Sequence, residues 1–261
     1  MLYLKNFLTE EERQACTDTQ DYVSYTEETD KVRINHFVPL EETPLTLVAL
    51  TDGTISYTNG YQTFGITYST DNGRTWSEPS GDITVNVTAG DKVQWMGQIS
   101  TTIGNPGKFS EGTASFNIEG NIMSIFYGEN FIGQTEFTRY KYTMNLFANS
   151  KCVDASKLIM NLTSLGNGCY GMFSGCTELT IAPTLTAQVL TYSCYCNMFN
   201  GCTNLSYIEM LATDISASDC LTGWVDGVAA NGTFVKAASM TTLPIGANGI
   251  PEGWTVQDAT E

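Results

Sequence analysis

A phrase that returns after 26 residues constrains the fold of this chain more than any other feature of its sequence. Residues 169–179 read CYGMFSGCTEL, and residues 194–205 read CYCNMFNGCTNL. A fixed period of this length is typical of stacked repeats, in which one unit cannot bury its apolar face alone. The residues predicted to fill the shared core hold this spacing in pairs: Met172 and Met198, Phe173 and Phe199, and Cys176 and Cys202.

The repeat extends in both directions beyond these two copies. Phe147 lies one period before the first copy, and Trp224 lies one period after the second. Residues 144–230 therefore hold about three repeats and a degenerate fourth. The first copy is weak because Ser150 stands where a cysteine is expected, and the last lacks the Gly-Cys-Thr sequence and is predicted to be a cap. Atypical end units are expected because the final unit must present a polar face to water.

The eight cysteines follow the same period. Two pairs recur in phase with it: Cys176 with Cys202, and Cys194 with Cys220. This phase favours small buried thiols in the core over disulfides. A zinc site is not predicted, because Cys194-x-Cys196 lacks the usual paired two-residue spacers and His36 is the only histidine. We therefore expect no metal and no cofactor.

The pattern Cys-Tyr-x-x-Met-Phe-x-Gly-Cys-Thr-x-Leu, followed by a turn at Ala182-Pro183, resembles the BspA-like leucine-rich repeat. Residues 232–236 (GTFVK) and 248–254 (NGIPEGW) are similar to the usual end of such chains. The resemblance covers residues 144–256. It implies a short leucine-rich-repeat-like solenoid with a C-terminal cap, which we assign to residues 141–261.

Residues 43–140 show a different pattern, with short β-rich stretches separated by Gly and Asn turns. Strands at intervals of about ten residues are typical of an antiparallel sandwich. We therefore predict a mainly β chain whose residues 43–140 form an antiparallel β-sandwich of Ig-like architecture. Turns are predicted between its strands, and one of them, a hairpin, lies at residues 119–121. The predicted strands are residues 45–50, 54–57, 64–69, 83–87, 92–96, 115–118 and 122–127.

Residues 1–42 form a separate segment with too few apolar residues for a core of its own. Residues 9–12 (TEEE) fit a capping box, which predicts a short helix to about Cys16. Residues 21–25 and 31–37 are predicted to be extended. We expect either an N-terminal arm that docks on a neighbouring protein or a strand pair that belongs to the next domain.

Residues 69–76 (STDNGRTW) match the pattern Ser-x-Asp-x-Gly-x-Thr-Trp, which resembles the Asp-box hairpin of sialidase propellers. In that hairpin the Asp and Gly shape a tight turn and the Trp packs beneath it. A propeller needs several copies at blade spacing, and this sequence has one. We therefore interpret the motif as a stabilised hairpin rather than part of a glycosidase, formed by Ser69, Asp71, Gly73 and Trp76.

The charge balance argues against two classes of partner. Acidic residues outnumber basic ones 28 to 12, for a formal charge of −16, which disfavours nucleic acid and anionic membrane surfaces. No stretch reaches the roughly 18 apolar residues of a membrane helix. No signal peptide is recognised at the N-terminus, because Glu10-Glu11-Glu12 follows a short apolar patch at once.

No catalytic residue is predicted from the sequence. His36 has no Ser or Cys motif around it, and no Gly-x-Ser-x-Gly, P-loop or Rossmann glycine pattern is present. Carboxylate pairs for glycoside hydrolysis stay open, because their separation is set in three dimensions. Glu27-Glu28 and Glu41-Glu42 are interpreted as solvated surface.

The layout of the whole chain resembles proteins of phages and prophages of Bacteroides-type bacteria. The features shared with them are a short N-terminal piece, a small β domain with the residue 68–76 motif and a Gly-Asn-x-Met-Ser hairpin at 120–124, and then Cys-Tyr-Met-Phe repeats. The resemblance implies a virion structural protein, non-enzymatic and assembled in the host cytoplasm: a head fibre, a capsid decoration protein or a tail-associated adhesin. A BspA-like adhesin of the bacterial cell surface and a polysaccharide-active enzyme are the alternatives.

If the chain is a virion protein, we expect residues 1–42 to bind a capsid or other virion protein and the repeats to face outward. Weak contacts with host-surface glycan are multiplied by many copies and by oligomerisation, and the resemblance implies a dimer or trimer. Aromatic side chains can stack on sugar rings, so four tyrosines are the candidate ligand-facing groups: Tyr170, Tyr192, Tyr195 and Tyr207. For Tyr170 and Tyr195, packing in the core of the repeats is the favoured alternative.

Overall fold

The computed structural model of the chain describes residues 22–29, 32–60, 65–99, 107–136, 143–163, 165 and 168–260, with the backbone alone for 22–37. Over these residues the fold is mainly β. Strand β1 (Tyr22–Thr29) pairs antiparallel with β2 (Val32–Pro39), where extended chain is expected from the sequence. The helix predicted from residue 9 to Cys16 lies outside the described residues.

Two sheets form the part of the molecule that follows. The strands are β3 (Leu45–Ala49), β4 (Gly53–Asn59), β5 (Thr67–Ser69), β6 (Ile83–Val87), β7 (Lys92–Met96), β8 (Gly107–Lys108) and β9 (Phe116–Asn121). In one sheet β3 lies between β7 and β9, with β5 beyond β7, and in the other β4 lies between β6 and β8. Burial alternates along β6 and β7, because one face of each strand packs on the core.

Three aromatic rings join these sheets. Tyr57 of β4 lies 6.1 Å from Trp95 of β7 and 4.8 Å from Phe109, measured between ring centroids. Phe109 meets Trp95 edge to face at 4.9 Å. All three side chains are buried, so the core between the sheets is aromatic at this end.

The hairpin predicted at residues 119–121, and the strand predicted at 122–127, are wrong. β9 continues to Asn121, and a one-turn helix, α1 (Ser124–Tyr127), follows. Glycine is required at position 120 because the Pro44 backbone packs closely against it, not because the chain forms a hairpin there. A Cβ at this position would overlap the Pro44 carbonyl oxygen, and the residue has φ +83°. The Ser124 hydroxyl accepts the Leu45 N–H at 2.8 Å and donates to the Trp95 carbonyl at 2.8 Å, which holds α1 against β3 and β7.

The repeat region continues the larger sheet. Its strands are β10 (Cys152–Ile159), β11 (Tyr207–Met210), β12 (Thr233–Lys236) and β13 (Thr255–Asp258). β10 pairs parallel with β9, and parallel bridges run from Asp154 to Ile181 and from Ile181 to Tyr207. β11, β12 and β13 pair in parallel. One sheet therefore extends from β5 to β13 and crosses the predicted boundary between residues 43–140 and 141–261.

Opposite these parallel strands, each repeat (called a coil below) is built from tight turns. Phe147 N–H donates to the Met172 carbonyl at 2.9 Å, Phe173 N–H to Met198 at 2.9 Å, and Phe199 N–H to Trp224 at 2.8 Å, so the coils are also bonded here. The turns have a left-handed backbone at Ser193 and Asp219, one period apart, and at two further positions that recur through the repeats and hold Gly or Asn, which adopt it most readily. The recurring positions are Asn145, Gly171, Asn197 and Gly223, and four residues later Asn149, Gly175, Gly201 and Gly227.

A stack of aromatic rings runs through the core of the coils. Phe109, Phe147, Phe173 and Phe199 follow one another with ring centroids 5.3, 5.3 and 5.7 Å apart, and Trp224 follows at 6.0 Å. The stack begins at Phe109, between the first two sheets, so a single core spans both parts of the molecule. Each residue expected in the shared core is buried: Met172, Phe173, Cys176, Met198, Phe199, Cys202 and Trp224.

Candidate functional site

A row of in-register residues crosses the outer face of the large sheet. It runs through β7, β3, β9 and β10 and then through the repeats, while neighbouring residues such as Ile118, Ala182 and Phe234 are buried. We name it the sheet-face row: Lys92, Val48, Asn117, Asp154, Ile181, Tyr207, Thr233 and Thr255. Since strand spacing in a sheet is constant at about 4.8 Å, the row presents side chains at regular intervals.

Tyr207 is the aromatic member of this row. It is half-buried between Ile181 and Thr233. Glu209 follows on the same face of β11, and its carboxylate accepts the Thr184 hydroxyl at 3.0 Å. Burial, with the Glu209 charge beside it, raises the pKa of the Tyr207 hydroxyl, so this hydroxyl is a neutral donor and acceptor at physiological pH. The partly exposed ring therefore offers an apolar face beside polar groups.

The other predicted ligand-facing tyrosines are not gathered around Tyr207. Tyr170 and Tyr192 lie in the turn segments, on a different side of the coil from β11. Tyr170 is half-buried, and its hydroxyl accepts a hydrogen bond from the Asn197 amide at 3.3 Å. Tyr192 is 57% exposed. The tyrosines therefore form no single site.

Tyr195 is not ligand-facing as the candidate set has it, and core packing, the alternative favoured for it from the sequence, is confirmed. Its side chain is 1% exposed and stacks on Trp224 with ring centroids 6.4 Å apart. Burial raises the pKa of its hydroxyl well above the usual value. The repeat places this position in the core, so Tyr195 cannot face a ligand.

The described cysteines are all free, buried thiols. The Cys176 thiol donates to the Phe147 carbonyl at 2.9 Å, and the Cys202 thiol donates to the Phe173 carbonyl at 3.0 Å. Burial raises the pKa of Cys176 to about 11 and that of Cys169 to about 12, so both stay protonated. Protonated thiols are neither nucleophiles nor metal ligands. Among the described residues no group of three or more His, Cys, Asp or Glu side chains is placed to hold a metal ion.

The Asp-box residues form a closed turn at the edge of β5. The Ser69 hydroxyl donates to Asp71 at 2.7 Å and accepts the Gly73 N–H at 2.9 Å. The Asp71 carboxylate also accepts the Thr75 N–H and hydroxyl, and the hydrogen bonds with Thr75 lower its pKa to about 2. Trp76 donates its indole N–H to the Gly73 carbonyl at 3.2 Å. The Asp71 carboxylate is thus occupied in shaping the turn.

A polar cluster that sequence reasoning missed adjoins the sheet-face row. Lys92 of β7 forms an ion pair of 2.8 Å with Glu119 of β9, which is buried. Asn117, in the row, has a buried side-chain oxygen that finds no hydrogen-bond partner among the described residues. These residues come from strands that are far apart in the chain, so no local motif signals their meeting.

The chain matches no protein-family model, no curated protein and no solved structure. In the described part of the chain, no helix has the length and hydropathy needed to cross a bilayer.

Proposed function

We propose that this chain is a non-enzymatic structural protein of a phage virion: a head fibre, a capsid decoration protein or a tail-associated adhesin. In this proposal an Ig-like β-sandwich carries a short BspA-like leucine-rich-repeat solenoid. Residues 1–42 hold the chain to a capsid or other virion protein, and the repeats present a surface to host-surface glycan. The virion assignment rests on the resemblance of the layout, and the presentation role rests on the geometry.

The observation that carries the presentation role is the continuity of sheet and core from one end to the other. The large sheet runs from β5 to β13, with β10 and β11 joined through the single-residue bridges of Ile181, and the aromatic stack follows it from Phe109 to Trp224. A unit with one core does not bend between two domains. Such a unit holds an attached surface at a constant distance and angle from its anchor, as a fibre or decoration protein requires.

The junction with the N-terminal segment supports the anchoring role. Leu40 is buried, and the Asn121 side-chain amide donates to the Glu41 carbonyl at 2.9 Å. The Asn121 N–H donates to the Thr43 carbonyl at 2.8 Å. Residues 40–43 are therefore bonded to the end of β9, so a force on the N-terminal segment passes directly into the large sheet.

The sheet-face row around Tyr207 is the surface that we assign to glycan. It offers one aromatic ring, the Glu209 carboxylate and the hydroxyls of Thr184 and Thr233 on one face. A single shallow contact of this kind binds weakly. Many copies on one particle raise the effective affinity by avidity.

The same surface would serve a bacterial cell-surface adhesin, which is the second candidate. The two differ in where the chain is found: in purified virions or on intact cells. A polysaccharide-active enzyme is the third candidate, and its support is the single Asp-box motif together with exposed aromatic side chains. The Asp71 carboxylate is held by hydrogen bonds from Ser69 and Thr75, which makes it a poor general acid or base.

Mass spectrometry and imaging of purified phage particles test the proposal. The chain should be present in the virion, with its N-terminal segment against a capsid or tail protein. A variant without residues 1–37, which keeps the buried Leu40 and the Glu41 contact, should be soluble but absent from particles. Virions that lack the chain, or attachment that survives the deletion, would overturn the proposal.

A further inference from the structure

The large sheet ends at β13 in the described part of the chain. Thr255 N–H donates to the Gly232 carbonyl and Ala259 N–H to the Lys236 carbonyl, both at 2.8 Å and both toward β12. Backbone groups alternate in direction along a strand, so the N–H and C=O groups of Val256 and Asp258 point away from β12. Among the described residues no strand follows on that side.

The side chains at this end are also uncovered. Val256 is in register with Phe234, which is fully buried, yet Val256 is 43% exposed. On the turn side, residues 244–250 form the last layer, where Asn248 accepts the Gly223 N–H at 2.7 Å, and Ile245 in this layer is 75% exposed. We name β13 and residues 244–250 the end face.

The other edge of the sheet is closed. Tyr68 of β5 and Ser77 exchange two backbone hydrogen bonds, of 3.2 and 2.8 Å, so the Asp-box turn covers that edge. Covering an edge is a common defence against uncontrolled strand pairing. The large sheet thus has one open edge in its described part, and association through one edge per chain stops at a dimer.

We propose that the end face binds a second copy of this chain, with the two β13 strands pairing antiparallel about a two-fold axis. In the register centred on Val256, each Val256 N–H donates to the carbonyl of the Val256 of the other copy. Thr255 of one copy then lies opposite Gln257 of the other. Asp258 lies opposite Trp254 of the other copy, so the two Asp258 carboxylates do not face each other. Val256 thus meets Val256 and Thr255 meets Gln257, while the outer pairs are Asp258 with Trp254, an arrangement that the two-fold axis repeats on both sides.

Charge sets the conditions under which this dimer forms. Each copy carries a formal charge of −16, so two copies repel each other in dilute salt. At the junction itself Asp258 is paired with Lys236. The repulsion is a long-range effect that salt screens, so the dimer becomes tighter as the ionic strength rises. This proposal does not depend on the proposed function.

Sedimentation velocity on the full chain, over a concentration series at low and high salt, tests the proposal. The variant Val256→Pro removes the outward N–H, which β12 does not use, and proline is tolerated at such edge positions. It should raise the dimer Kd by roughly thirtyfold or more, the effect of losing two hydrogen bonds. Val256→Asp, which sets two carboxylates across the axis, should also give monomers. Val189→Asp is the matched control, because it adds the same charge at another exposed valine and should remain dimeric.

Hydrogen exchange locates the contact. The Thr255 and Gln257 amides should be protected at every protein concentration, and the Val256 and Asp258 amides only at concentrations where the dimer forms. A wild-type chain that stays monomeric throughout the series overturns the proposal. A dimer or trimer that survives Val256→Pro, or that leaves the Val256 amide unprotected, overturns it as well.

Discussion

The Phe147 and Phe173 rings stack with their centroids 5.3 Å apart and their planes 14° from parallel. They come from successive coils, and the backbone bond from Phe147 N–H to the Met172 carbonyl lies beside them. Each ring is therefore held between two neighbours along the stack. A ring removed from the middle leaves a cavity that rigid coils on both sides cannot close.

Replacing Phe173 by Ala should lower the free energy of unfolding by about 3–5 kcal/mol, the usual cost of deleting a buried ring. Urea unfolding followed by tryptophan fluorescence measures it, since Trp224 lies in the same core. Tyr192→Ala removes an exposed ring of similar size and should change stability by less than about 0.5 kcal/mol. Equal losses for the two variants would show that the stack is not the main source of stability in the coils.

Gly120→Ala should cost about 3 kcal/mol or more, because the new methyl group must push β9 away from the Pro44 carbonyl. Gly133→Ala is the matched control. Gly133 has a similar φ of +78° but nothing within 4 Å of a Cβ, so its substitution adds backbone strain of about 1–2 kcal/mol alone. Thermal unfolding of both variants separates close approach from strain. Similar losses in the two proteins would contradict the close-approach explanation.

Because its thiols are buried, we expect the free energy of unfolding of the protein to fall in alkaline solution. Their pKa is raised in the folded state, so the unfolded chain releases its thiol protons first, from the ordinary value of 9.0 upward. The stabilisation is complete below pH 9.0 and is lost as pH rises to about 11, the folded value for Cys176. Each thiol contributes a slope of about 1.4 kcal/mol per pH unit in this window.

Chemical denaturation at a series of pH values measures that slope. The double variant Cys176→Ala, Cys202→Ala should be less stable at neutral pH but should lose stability more gradually above pH 9.0. If the free energy of unfolding falls equally steeply with pH in the wild type and the variant above pH 9.0, the pKa values of these thiols do not differ between the folded and unfolded states.

Tyr207→Ala should weaken binding to host-surface polysaccharide by about tenfold or more per site, equivalent to about 1.4 kcal/mol. Tyr207→Phe keeps the ring and should bind nearly as the wild type does, if stacking is the main contact. Glycan arrays or binding to intact host cells provide the readout. Loss of binding in Tyr192→Ala with unchanged binding in Tyr207→Ala would move the site from the sheet face to the turn segments.

Much of the core could be predicted because the repeat marks it. Met172, Phe173 and Cys176 recur one period later in the same order, and a position that recurs in stacked coils meets the same surroundings each time. The strands at 83–87 and 92–96 match β6 and β7, because one buried face imposes alternation on their sequences.

The segment after β9 shows where local patterns mislead. Glu119-Gly120-Asn121 is typical of a hairpin turn, but Gly120 lies within the strand, where it lets the Pro44 backbone approach. Pro44 is distant in sequence from Gly120. A glycine required by a distant contact looks the same in the sequence as one required by a turn.

The sequence by itself determined the mainly β composition, the period of the coils and the residues that fill their core, because these depend on patterns within a few tens of residues. Only the tertiary structure decided that β9 and β10 join two predicted domains in one sheet. It also decided that Tyr207 faces outward while Tyr195 stacks on Trp224. Register between strands far apart in the chain sets which side chains share a face, and a shift of one residue would reverse it.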